Sequence, residues 1–234
     1  MCTNHSAVIN RFLSGIQGFK ERFYENDPEF MRDLAEHGQH PEVLLIACSD
    51  SRVDPTLLTG ARPGELFVVR NVANLVPPYL LDGKQDGARA AIEYAVRDLG
   101  VSNIVVLGHA QCGGIKALLK TITGERLADR DFIGGWVSMA HSACQKYIIQ
   151  PLHSSEGHAF SGNQIDDFES VLAHPHLAER AMIQGSLANL ETYPWIKERI
   201  GAGKLHLHGW WFDLETGDLW STTEDDRVLM PVLD

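Results

Sequence analysis

Three short, almost unbroken apolar runs constrain this chain most: Glu42–Cys48 (EVLLIAC), Leu66–Arg70 (LFVVR) and Asn103–Gly108 (NIVVLG). Runs of this length without alternation fit strands buried on both faces, the signature of a parallel sheet. Between the second and third, Asp86–Leu99 places Ala88, Ala91, Ile92, Ala95, Val96 and Leu99 at helical spacing, and Gly100 supplies a stop. Ile115–Ile122 repeats the helical pattern directly after the third run. Strands alternating with helices require right-handed crossovers, so the expected fold is α/β: a central, mostly parallel sheet flanked by helices.

Outside this frame, helices are expected across Phe132–Ile149 and His176–Leu190. Lys204–Trp211 reads as a strand, and Asp213–Trp220 as a turn between two strands. His153–Asp167, rich in Ser, Gly and His, reads as a long loop. Residues 1–36 carry Val8, Ile9, Phe12, Leu13, Ile16, Phe19 and Phe23 at helical spacing and are expected to form a helical arm. Such an arm has no core of its own and must lie on the body or on another subunit. Residues 37–234 are expected to form a single α/β domain, and the apolar stretch Val228–Val232 offers a further interface.

Composition narrows the function classes. The net charge of −11 argues against nucleic acid or an anionic membrane as the main partner. No 18-residue apolar stretch exists, so no transmembrane helix is expected. Met1–Phe19 lacks a basic region followed by an apolar block, so no secretory signal is expected and the protein is expected in the cytoplasm. Four cysteines are too few for a disulfide scaffold, which turns attention to metal binding or catalysis.

Two turns at the carboxyl ends of predicted strands carry the chemistry. One is Cys48-Ser49-Asp50-Ser51-Arg52 and the other His109-Ala110-Gln111-Cys112-Gly113-Gly114. Ligand sites in open α/β sheets lie beyond the strand carboxyl ends, so both turns are placed to meet. Together Cys48, His109 and Cys112 make a donor set suited to Zn²⁺, and three protein ligands leave a tetrahedral ion one open position, as in catalytic rather than structural sites. Arg52 can pair bidentately with Asp50 and keep it ionised, ready to accept a hydrogen bond near the metal or to ligate it. Gly113 and Gly114 open a helix whose N–H groups can face an anion.

These residues resemble the β-class carbonic anhydrases. The resemblance runs from about Gln39 to Trp220 and includes Pro63–Asn71 (PGELFVVRN), Ala73-Asn74, Val76–Tyr79 (VPPY), Ala90–Tyr94 (AAIEY) and Ser186–Leu190 (SLANL). It implies one zinc per chain on Cys48, His109 and Cys112, the Asp50–Arg52 pair beside it, and reversible hydration of carbon dioxide to bicarbonate and a proton. The branch resembled is the plant-like one. Gln39, nine residues before Cys48, matches its substrate-binding Gln, and Leu45 stands where the bicarbonate-inhibited branch has Trp. Phe67, Val72 and Tyr94 match pocket positions, some contributed across a dimer interface, and Gly113 matches a backbone donor to substrate. The resemblance also implies that the arm wraps a neighbouring subunit in a homodimer or a larger homo-oligomer, a tetramer or octamer.

Two thiolates and a neutral imidazole leave the site formally neutral, so activity is expected to rise from neutral to mildly alkaline pH. Two alternatives remain open at this level. One is a CS₂ or COS hydrolase on the same scaffold. The other is a non-catalytic zinc-binding regulatory protein, which the presence of both Asp50 and Arg52 disfavours. His206 and His208 share a strand face but have no third ligand, and are expected to be packing or solvent-facing residues.

Overall fold

The computed structural model describes residues 6–82, 85–124, 130–144, 171–172, 174–222 and 229–232. Two compact units divide between His40 and Pro41.

In the N-terminal unit, α1 (Ala7–Lys20) starts where the Ser6 side chain accepts the Ile9 N–H. A wide turn over Glu21–Glu25 leads into α2 (Pro28–His37), whose Pro28 sits where no backbone donor is needed. Phe23 is buried between the rings of Phe19 and Phe30. No residue of α1 is buried, and Val8, Ile9, Phe12, Leu13 and Ile16 remain exposed.

The second unit is built on a six-stranded sheet in the order β2-β1-β3-β4-β5-β6. The strands are β1 (Val43–Cys48), β2 (Leu66–Asn71), β3 (Asn103–His109), β4 (His206–Phe212), β5 (Leu219–Thr222) and β6 (Leu229–Pro231). The first four are parallel, and β5 and β6 add antiparallel. β1 and β3 are buried on both faces, which is why their sequences do not alternate. Leu44, Ile46, Ile104 and Val106 face one core, while Leu45, Ala47, Val105 and Leu107 face the other.

Between the strands lie α3 (Pro55–Thr59), α4 (Gly87–Glu93) and α5 (Gly113–Ile122), followed by α6 (Ile133–Ser138), α7 (His141–Cys144), α8 (Pro175–Leu190) and α9 (Pro194–Gly201). Asp54 caps α3 and Asp86 caps α4 through backbone N–H groups. The helix expected over Asp86–Leu99 widens in its last turn, where the Leu99 N–H reaches back to the Tyr94 carbonyl. Gly100 ends it at φ +71°.

The helix expected across Phe132–Ile149 is interrupted. The N–H groups of Met139 and Ala140 turn back to the carbonyls of Trp136 and Val137, closing α6 before α7 begins. The remainder of that segment and the loop His153–Asp167 lie outside the described residues.

The strand order reverses between β1 and β3: the chain steps from β1 outward to β2, then back past β1 to β3. Their carboxyl ends therefore flank the crevice that such a switch creates.

Candidate metal centre

Cys48 ends β1, His109 ends β3, and Cys112 stands immediately before α5. Parallel pairing of β1 with β3 brings these turns side by side. The Cys48 and Cys112 sulfurs are 3.8 Å apart, and with a ring nitrogen of His109 they form a set of donor atoms within 4.8 Å of one another. All three residues are buried.

Local backbone holds each turn in place. The Ser49 N–H continues the ladder to the Asn71 carbonyl, and the Ala110 N–H does the same to Phe212. Arg70 reaches over from β2 and donates to the carbonyls of Cys48 and Asp50, at 3.0 and 2.7 Å, and to Asp54. Gly114 admits a close approach. A Cβ there would lie 2.7 Å from Val72 Cγ1 and 2.9 Å from Ala73 Cβ. Ala73 itself is left-handed at φ +68°.

That crowded turn puts the Ala73 N–H on the Cys48 sulfur. Cys48 is drawn well below the usual thiol range, first by the Cys112 hydrogen bond and then by the N–H groups of Ala73 and Asp50, against the opposing effect of burial. The N–H groups of Gly114 and Ile115, at the start of α5, face the Cys112 sulfur.

Three observations fit a metal. First, His109 Nδ1 lies 2.8 Å from the Ala110 carbonyl, which can only accept, so Nδ1 carries the proton. The lone pair is then on Nε2, which is buried and has no hydrogen-bond partner. Second, two thiolates at about 2.3 Å from a tetrahedral ion stand about 3.8 Å apart, and the observed separation is 3.8 Å. Third, Asp50 is already engaged. Arg52 Nε donates to Oδ1 at 2.9 Å and Nη2 to Oδ2 at 2.7 Å, while the Arg52 N–H also donates to Oδ1. This fork holds the carboxyl well below the usual carboxylate range. Asp50 Oδ2 is 3.9 Å from His109 Nε2, beside the cluster but held by Arg52.

The carbonic anhydrase family pattern matches residues 43–219. The chain is 34% identical to a carbonic anhydrase of Synechococcus elongatus over 93% of its own length and 74% of that protein's. The chain belongs to the β-class carbonic anhydrases. It is 37% identical to the chloroplastic β carbonic anhydrase 5 of Arabidopsis thaliana over 90% of its length and 63% of the relative's. The solved structure of the β-carbonic anhydrase CcaA covers 98% of this chain and 94% of that one, with TM-score 0.78 and 31% identity. A tetrameric β-carbonic anhydrase of Sordaria macrospora gives TM-score 0.70 at 28% identity, over 92% of this chain and 97% of the other. Reversible hydration of carbon dioxide is the reaction of this class.

Not every residue expected in a β-carbonic anhydrase pocket reaches this chain's own cluster. Gly113 opens α5 next to Cys112, and Val72 borders Gly114. Phe67 and Tyr94 stack on each other, with centroids 5.9 Å apart. Phe67 pairs in register with Leu44, however, four residues before Cys48. At roughly 3.3 Å per residue it stands about 13 Å back along the sheet from the strand ends. Gln39 is exposed and belongs to the N-terminal unit. His208 pairs with Asn103 at 3.0 Å, an ordinary polar contact.

Other residues bearing on the centre escaped the sequence reading. Arg70 lies within a motif already noted, but nothing in its spacing shows that it forks onto the Cys48 turn. The left-handed Gln111, φ +57°, carries no sequence signal. Glu179 does carry one: it is a carboxylate on the buried stripe Glu179, Met182, Ile183, Ser186, Leu190 of α8.

Proposed function

We propose that this β-carbonic anhydrase hydrates carbon dioxide at one zinc ion per chain, held by Cys48, His109 and Cys112. The orphaned, buried Nε2 of His109 facing two sulfurs carries this reading, because a buried imidazole lone pair without a partner has a cost that a metal ion removes. Zinc supplies a Lewis acid that makes water a nucleophile near neutral pH.

The remaining chemistry belongs to the chain. Asp50, held ionised by Arg52, accepts a hydrogen bond from the attacking water and so directs its lone pair at the carbon. The Gly113 N–H, at the start of α5, stabilises negative charge growing on the substrate oxygens. Val72 lines the apolar wall. Phe67 and Tyr94, set back along the sheet from their own chain's cluster, serve the site of a second copy. That role, and the exposed apolar face of α1, support a homodimer or a larger homo-oligomer in which the N-terminal arm wraps its neighbour. Two thiols that must stay reduced to bind metal support a cytoplasmic setting.

Stopped-flow carbon dioxide hydration on purified protein, with zinc quantified in the same sample, tests the reading. Turnover that tracks zinc content is expected. Turnover unchanged after the metal is stripped, or a stoichiometric metal with no hydration, would overturn it.

A further inference from the structure

Glu179 places a carboxylate where packing alone would put a hydrocarbon. It sits near the start of α8 and is 3% exposed, among Ala178, Met182 and Ile183. Such a group is tolerated only when donors meet it. Here the donors come from the metal-binding turn. The Cys112 N–H donates to Oε1 at 3.1 Å, and the Gln111 N–H also faces the carboxylate. From the opposite side, the Trp211 indole N–H donates to Oε2 at 3.3 Å.

Two successive backbone N–H groups turned toward one anion form a concave nest. This arrangement accounts for the left-handed backbone of Gln111, φ +57°, a conformation that is unfavourable for a non-glycine residue. The His109–Cys112 turn is wound around an internal anion supplied by the protein itself.

The peptide joining Gln111 to Cys112 is planar, with its N–H and carbonyl pointing in opposite directions. Its N–H end meets Glu179. Its carbonyl end accepts Arg52 Nη2 at 3.3 Å, and the same Nη2 holds Asp50. One rigid plane therefore links Glu179, Cys112, Arg52 and Asp50.

We propose that Glu179 is a positioning residue of the metal centre: by holding the N–H end of the Gln111–Cys112 peptide it sets the direction of the Cys112 sulfur and, through the carbonyl end, the seat of Arg52. This rests on the reading that Cys48, His109 and Cys112 hold the metal. The role is distinct from bracing α8 against β4, which the Trp211 contact alone would accomplish.

The test uses Co(II) in place of zinc in the full-length protein. Its sulfur charge-transfer and d–d bands report ligand geometry without reference to turnover. Glu179→Gln keeps the shape and one acceptor but cannot receive donors at both ends. Trp211→Phe removes the indole donor and part of the ring that packs on Arg180 and Trp220, but leaves the donors of the metal-binding turn in place. The expected result is a folded Glu179→Gln protein with shifted bands and metal affinity weakened about 10- to 100-fold by chelator competition. Trp211→Phe should keep wild-type bands. Should Glu179→Gln not fold, Glu179→Asp, one methylene shorter with the charge retained, is expected to show the same shift.

Wild-type bands and affinity in the folded Glu179 variant would overturn the proposal. So would equal losses of thermal stability in the Glu179 and Trp211 variants with unaltered bands. A wild-type protein that takes up no Co(II) would instead overturn the metal reading, and this inference with it.

Discussion

Arg52 grips both carboxylate oxygens of Asp50, at 2.9 and 2.7 Å, and so keeps the acid off the three metal donors while holding it beside them. The fork is bidentate, a geometry that guanidinium provides and ammonium does not. Asp50→Asn is expected to keep its metal and lose about 10²-fold in kcat, the scale of a misoriented reacting group. Arg52→Lys should lose rate in the same direction but less. Stopped-flow rates alongside metal analysis check both. Wild-type turnover in Asp50→Asn would remove the orienting role.

The donor set predicts an all-or-none response. Cys48→Ala, His109→Ala and Cys112→Ala each remove one of three buried ligands, and a two-ligand remnant does not hold the ion. Elemental analysis should find no stoichiometric metal in any of them, with hydration lost in parallel. Chelation of the wild type should abolish activity, and added zinc should restore it. One ion per chain retained in either cysteine variant would refute the assignment.

Adjacent glycines should behave oppositely. A Cβ at Gly114 meets Val72 and Ala73 at under 3 Å, whereas one at Gly113 meets nothing within 4 Å. Gly114→Ala is expected to cost about 1–3 kcal/mol, the usual penalty of overpacking, and to disturb the turn that puts the Ala73 N–H on Cys48. Gly113→Ala should be neutral or raise stability by up to about 1 kcal/mol. It should also leave activity intact, because its backbone N–H is retained. Thermal melts and rates of the two variants decide the matter.

Tyr193 contributes to stability against alkali. Burial pushes its phenol up to about 12, and its hydroxyl donates to the Pro77 carbonyl at 2.9 Å. A folded pKa raised above the unfolded value of about 10 means the stability is fully present below pH 10 and is lost as pH rises toward 12, by about 3 kcal/mol in total. Tyr193→Phe should sacrifice about 1 kcal/mol at neutral pH through the missing hydrogen bond while losing less than wild type on going alkaline. Urea denaturation of both proteins at about pH 8 and about pH 11 measures this. Parallel losses in the two would contradict it.

Much of the fold was legible. EVLLIAC and NIVVLG are uniformly apolar because β1 and β3 are covered on both faces. The turns that follow them could be placed at one end of the sheet because parallel strands share a direction. Helix ends were less legible: the widened turn at Tyr94–Asp98 and the break between α6 and α7 depend on which carbonyl a given N–H reaches, and the side-chain pattern does not encode that choice. The pocket residues divide for a similar reason. Phe67 sits in a recognisable motif, yet only the register opposite Leu44 shows that it stands far from its own chain's cluster.

By itself the sequence determined which residues could carry the chemistry: a Cys, a His and a Cys in two strand-end turns, with an acid and an arginine at hand. That much is local, since side-chain type and strand or helix periodicity act over a few neighbouring residues. Tertiary structure decided how those groups are used. It freed Nε2 of His109 by pairing Nδ1 with a carbonyl, set two sulfurs 64 residues apart in sequence at a metal-binding separation, and brought Glu179 from a distant helix beneath the turn. Such relations follow from sheet register and helix docking, where atoms far apart along the chain meet and no short stretch of sequence carries the distance between them.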